Sequence, residues 1–168
     1  SYEDYEPLVQ LAKEQHWAVD AMNPPKALVR IVAKNGLAQA EADPLMARWG
    51  MKDEAIVDDP IYRTRILQQL QACHGGRNDS LYQTMYEASM VRDEGMAKTL
   101  VNRLNLIRLE IDSMAGPLVS YTGGGHIQYN LPVPKRVVRR LPDGVHQISV
   151  YMTSFEVGRI EELQDLIR

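Results

Sequence analysis

Apolar residues recur at helical spacing along most of this chain and give way to strict alternation near its end. Leu8, Leu11, Ala12, Gln15 and Val19 mark one face of a helix predicted from Pro7 to Met22, stopped by Asn23-Pro24-Pro25. Pro25 starts a second helix carrying Leu28, Val29, Ile31 and Val32, which Asn35-Gly36 caps with Lys34 in the last turn. A short helix fits Leu37 to Ala42. Asp43-Pro44 then restarts the pattern through Leu45, Met46 and Trp49, with Asp43 as N-cap and Pro44 at the first helical position. Asp59-Pro60 repeats that punctuation and opens a helix with Ile61, Ile66, Leu67 and Leu70, ended by Gly75-Gly76. From Asp79 to Met114 the pattern is helical in two stripes, one through Leu81, Met85, Ala88 and Val91, the other through Met96, Leu100, Leu104, Ile107, Ile111 and Met114. Gly95, after Asp93-Glu94, marks a kink or a turn, and a hairpin of two helices is preferred over one long bent helix.

Beyond Gly116-Pro117 the texture changes. Leu118 to Thr122, His126 to Leu131, Val133 to Arg140 and Val145 to Met152 read as strands, with Gly123-Gly124-Gly125 and Leu141-Pro142-Asp143-Gly144 as turns. Thr153-Ser154-Phe155-Glu156 fits a capping box for a terminal helix with Val157, Ile160, Leu163 and Ile167 on one face. The expected fold class is α+β: a mainly helical N-terminal two-thirds, then a small antiparallel β-sheet or hairpin region and a C-terminal helix. The expected organisation is 1–76 as a helical region with helix-turn-helix-like spacing, 77–116 as a long helix or helical hairpin, and 117–168 as a β-rich region with the terminal helix.

Composition narrows the class. The 168 residues suit one domain or two small ones sharing a core, and 45% hydrophobic with 24% charged residues is ordinary for a globular chain. The net charge of −3 excludes a surface that is cationic throughout, and it is unevenly spread: −5 over residues 1–60, then +1 over 61–117 and +1 over 118–168. The single cysteine, Cys73, removes any internal disulfide framework and favours a reducing compartment, so the cytoplasm is expected. No run approaches the roughly 18 apolar residues of a membrane span, and the start, SYEDYEPL, is acidic where a signal peptide is basic. No membrane contact is expected.

Candidate chemistry is sparse. Cys73-His74 invites a metal or thiol reading, but His16, His126 and His146 are scattered and a zinc site needs about four paired ligands. A helix C-terminus with Cys73 half-buried is preferred. Thr122-Gly123-Gly124-Gly125-His126 lacks the lysine of a phosphate loop and reads as a hairpin turn. The acidic pairs Asp58-Asp59, Asp93-Glu94 and Glu161-Glu162 have no partner at a telling spacing and read as caps or solvated faces. Neither catalytic residue, metal nor cofactor is assigned, and a non-enzyme is the preferred class.

The strongest charge feature is Pro134 to Arg140. As a strand it would show Lys135 and Arg139 on one face, Arg136 and Arg140 on the other, which suits an edge or a protruding ribbon. Such a ribbon, with His126 beside it, would contact phosphate. The competing reading, an aggregation-protected edge or a salt-bridge partner for the chain's acids, weighs evenly. Lys26, Arg30, Lys34 and Arg48 lie on the two helices with helix-turn-helix-like spacing and would meet DNA there, but Glu41, Asp43, Asp53 and Glu54 lie among them and a small helical bundle, the preferred reading, gives the same pattern.

The succession of a short helical unit (Ala27 to Met51), an Asp-Pro-initiated helix (Asp59-Pro60-Ile61-Tyr62), a long helical pair and a β-rich tail resembles the layout of phage terminase small subunits over residues 24–168. That resemblance implies an oligomeric, non-catalytic assembly protein that recognises DNA for viral genome packaging, with nucleic acid and a protein partner or further copies of itself as partners. The alternative is a protein-interaction or structural subunit without nucleic-acid contact, using the methionine-rich stripes (Met85, Met90, Met96, Met114) as adaptable surface. The first reading requires the four cations after Pro134 to be free of the protein's own acids.

Overall fold

The structure is a computed structural model, and it describes residues 3–74, 79–109, 117–141 and 143–152. Its axis is a helix, α6, of 31 residues from Asp79 to Leu109, about 46 Å long at 1.5 Å per residue. Among the described residues five helices precede it: α1 (Glu6–Glu14), α2 (Lys26–Asn35), α3 (Leu37–Ala40), α4 (Pro44–Arg48) and α5 (Pro60–His74). After it come two 3₁₀ turns, Gly124–His126 and Gln128–Asn130, and then α7 (Val133–Arg140).

Local chemistry sets these boundaries. The Asp43 carboxylate accepts the Leu45 N–H at 2.9 Å, and the Asp59 carboxylate accepts those of Ile61 and Tyr62 at 3.0 and 3.2 Å. Both side chains satisfy amides that the first helical turn leaves unpaired, with proline at the next position. At α3, the Leu37 N–H donates instead to Glu87 Oε2 of α6 at 2.7 Å, so the long helix caps the short one.

Apolar faces then pack around α6 in three groups. Leu28, Val29 and Val32 of α2 meet Ala40, Met46, Met51, Ala88 and Val91. Tyr62 of α5 meets Tyr86 and Met90. Val133 and Val137 of α7, with Leu141, meet Met96, Ala97 and Val101. The stretch Met90 to Ala97 is therefore covered on nearly every side, Arg92 alone remaining exposed.

Among the described residues there is no strand, so the α+β class with a β-hairpin does not hold; the architecture is helical. Residues 117–123 and 143–152 include exposed side chains such as Val119 and Ile148, but pair with nothing as a ladder among the described residues. Val133 to Arg140 is a helix because Val133, Val137 and Leu141 recur every four residues and all are buried, while Pro134 sits in the first turn. His126 to Leu131 folds as tight turns in which Tyr129 and Asn130 both adopt φ 56°. The long helix continues through Gly95 where a hairpin was preferred: a Cβ there would stand 2.9 Å from Pro24 Cγ, so the glycine admits the Pro24 ring against an unbroken helix. The first helix stops at Glu14, well short of Met22, with His16 at φ 55°. The expected terminal helix lies outside the described residues.

Candidate functional site

The covered middle of α6 carries two adjacent carboxylates, Asp93 and Glu94, with 1% and 0% exposure. Buried charges of this kind persist only with opposite charges and hydrogen bonds around them. Glu94 receives three guanidinium groups from one helix: Arg136 at 3.1 Å, Arg139 at 2.7 Å and Arg140 at 2.6 Å. Spacings of three and four residues bring these side chains to one side of α7. The Val57 N–H adds a fourth donor at 3.3 Å. Arg140 also pairs with Glu54 at 3.0 Å, Arg139 donates to the Ala55 carbonyl at 3.1 Å, and Lys135 pairs with Asp59.

Asp93 points to the other side of the helix and joins two elements. One carboxylate oxygen accepts the Tyr62 hydroxyl of α5; the other lies 2.6 Å from Nδ1 of His126. Burial, then the Asp93 charge beside it, holds the Tyr62 phenol well above its ordinary range, so it stays a donor. Tyr86 is pushed up to about 12 by burial and by its hydrogen bond to Asp58. The Arg136 guanidinium completes this wall 4.9 Å from the Tyr62 ring centre.

His126 ends the 3₁₀ turn that begins at Gly124, where any Cβ would run into the Tyr151 ring. An ionised carboxylate can only accept, so a neutral imidazole at this position would carry its proton on Nδ1 and have its lone pair on Nε2. Nε2 has no partner among the described residues, and the side chain is 25% exposed. A carboxylate fixing one imidazole nitrogen is the arrangement that orients a histidine as a metal ligand.

Next to this turn a cavity of 290 Å³ lies between α5 and the turn residues, with Tyr62, Arg65, Gln68, Gln69, Gln128 and Tyr129 in its wall. Tyr129 is held left-handed, a conformation that costs a bulky residue on the order of 1–3 kcal/mol and that the surrounding packing must offset.

The structure thus separates the residues expected to contact phosphate. Lys135, Arg136, Arg139 and Arg140 all meet the protein's own carboxylates, so the free cationic ribbon is corrected to an internally paired helix face. His126 is held by Asp93, away from any such ribbon. Lys26, Arg30, Lys34 and Arg48 stay exposed on α2 and α4. Cys73 is exposed rather than half-buried, and no cluster of metal-ligating side chains occurs among the described residues. Sequence reasoning passed over Asp93 and Glu94 as solvated. Their apolar neighbours Met90, Val91, Met96 and Ala97 were the signal that this stretch is buried all round. Tyr62, Tyr86, Arg65 and Tyr129 carried no such signal. Among the described residues no helix is long and apolar enough to cross a membrane.

Compared with known proteins, the chain matches over residues 1–137 the model of a family described as haem-binding uptake, Tiki superfamily, ChaN. No curated protein and no solved structure matches the chain. The family match overturns the likeness to phage terminase small subunits, which rested on the order of elements alone. DNA packaging goes with it, and the alternative, a protein-interaction or structural subunit without nucleic-acid contact, finds no support.

Proposed function

The chain belongs to the haem-binding uptake family of the Tiki superfamily, ChaN, and from that premise we propose that it binds haem, with His126 as the side chain that meets the iron. The observation that carries this reading is the Asp93–His126 contact inside the matched region. An imidazole with Nδ1–H given to a buried carboxylate presents a more basic, fixed Nε2, which suits iron. The ring is reachable from solvent, and part-exposed tyrosines, Tyr151 against Gly124 and Tyr129 beyond, offer aromatic surface to a flat apolar macrocycle.

In this reading the chain's own residues divide the work. Tyr62 and Asp93 hold the imidazole's orientation, and Glu94 with its arginines fixes α7 against α6 behind them. Haem is cargo here, and no bond-making step is assigned to the protein. The compartment follows the cargo: a lone thiol forms no internal disulfide in the cytoplasm or outside it, and fractionation of the source cells decides between them.

The test is a titration of the protein with hemin, followed by absorbance. Saturable growth of a shifted Soret band at one hemin per chain supports the reading. A spectrum equal to that of hemin in buffer at every ratio overturns it.

A further inference from the structure

The cavity beside α5 has a charge pattern that an iron-binding imidazole alone does not explain. Its 290 Å³ falls just short of the range of about 300–1,000 Å³ that encloses a whole drug-sized ligand, so it admits one edge of a larger molecule. Its wall contains one cation, Arg65, and no carboxylate. The Arg65 guanidinium lies over the Tyr129 ring at 4.4 Å and has no acidic partner among the described residues. Elsewhere the arginines near the site are spoken for: Arg63 pairs with Asp58, and Arg136, Arg139 and Arg140 with Glu94. A second guanidinium stands behind the wall, where Arg136 Nη1 donates to the carbonyls of Leu131 and Pro132, both wall residues. Its Nη2 is buried and has no hydrogen-bond partner among the described residues. Gln68, Gln69 and Gln128 bring neutral amide donors to the same hollow. Gly125 and Gln128, close to His126 on either side in sequence, also line it, so it opens beside the imidazole turn.

The geometry points to this cavity as a carboxylate subsite, one that takes the acidic edge of the tetrapyrrole held at His126; the ligand's identity rests on the haem reading. Haem carries its propionates on one edge, and a planar guanidinium matches a carboxylate in bidentate fashion. Stacking on Tyr129 already orders the Arg65 side chain, so less freedom is lost when the ligand arrives.

Titrations of hemin and of its dimethyl ester, whose propionates are uncharged, against the wild-type chain and Arg65→Gln test this. The substitution should weaken hemin about tenfold, the size of a lost charge-assisted hydrogen bond, leave the ester's affinity unchanged and keep the Soret position. Wild-type affinity for hemin in Arg65→Gln, or an equal loss for hemin and ester, overturns the subsite while leaving haem binding intact. A wild-type chain that does not bind hemin overturns the subsite and the haem reading together.

Discussion

A carboxylate with no solvent exposure, such as Glu94, is stable only while cations remain against it. Replacing it by glutamine keeps the shape but leaves Arg136, at 3% exposure, without its counter-charge. Glu94→Gln should therefore lose about 3–5 kcal/mol of stability, read from the urea midpoint, and a midpoint equal to wild type would contradict the buried cluster. Proton linkage adds a second prediction. Burial raises the Asp59 carboxyl, but hydrogen bonds from Lys135 and the Tyr62 and Ile61 amides outweigh it and hold the group below its ordinary value. Glu54 is likewise lowered against burial by Lys98 and Arg140, and Asp58 is lowered by the Tyr86 hydroxyl despite some burial. Groups depressed in the folded state stabilise fully above their unfolded values, near pH 4, and lose that contribution as pH falls through the folded ones. The unfolding midpoint should hold from neutrality to about pH 5 and fall below about pH 4, and Asp59→Asn should make the fall shallower. At this scale the sequence misled, because acidic pairs are mostly solvated and nothing in a pair itself announces arginines 42 to 46 residues downstream.

The helix caps were readable one element at a time: Asp43-Pro44 and Asp59-Pro60 act within a few residues and behave in the fold as they read in the sequence. Elements defined by what packs on them were not. Val133 to Arg140 offers alternation and adjacent valines to a strand as well as four-residue spacing to a helix, and the choice is made by the face of α6 that buries Val133 and Val137. Gly95 shows the same dependence. Alanine would raise intrinsic helix propensity by about 1 kcal/mol, yet its methyl group meets Pro24. Overpacking of this sort costs about 1–3 kcal/mol, so Gly95→Ala should lower the thermal midpoint; a raised midpoint would mean that α6 and the Pro24 segment are not in close contact.

At the scale of the whole molecule, α6 is the common support: Asp93 on one side reaches His126 and Tyr62, and Glu94 on another clamps α7. His126 stood out in the sequence as a residue next to glycines, but its partner is 33 residues away and visible only once the chain is folded. The proposed role of that imidazole is most directly tested by hemin titrations of the wild type, His126→Ala and His16→Ala, an exposed histidine serving as control. Loss or a clear shift of the Soret band in His126→Ala alone, with wild-type behaviour in His16→Ala, is the predicted result. Identical spectra and affinities in all three proteins would contradict the assignment.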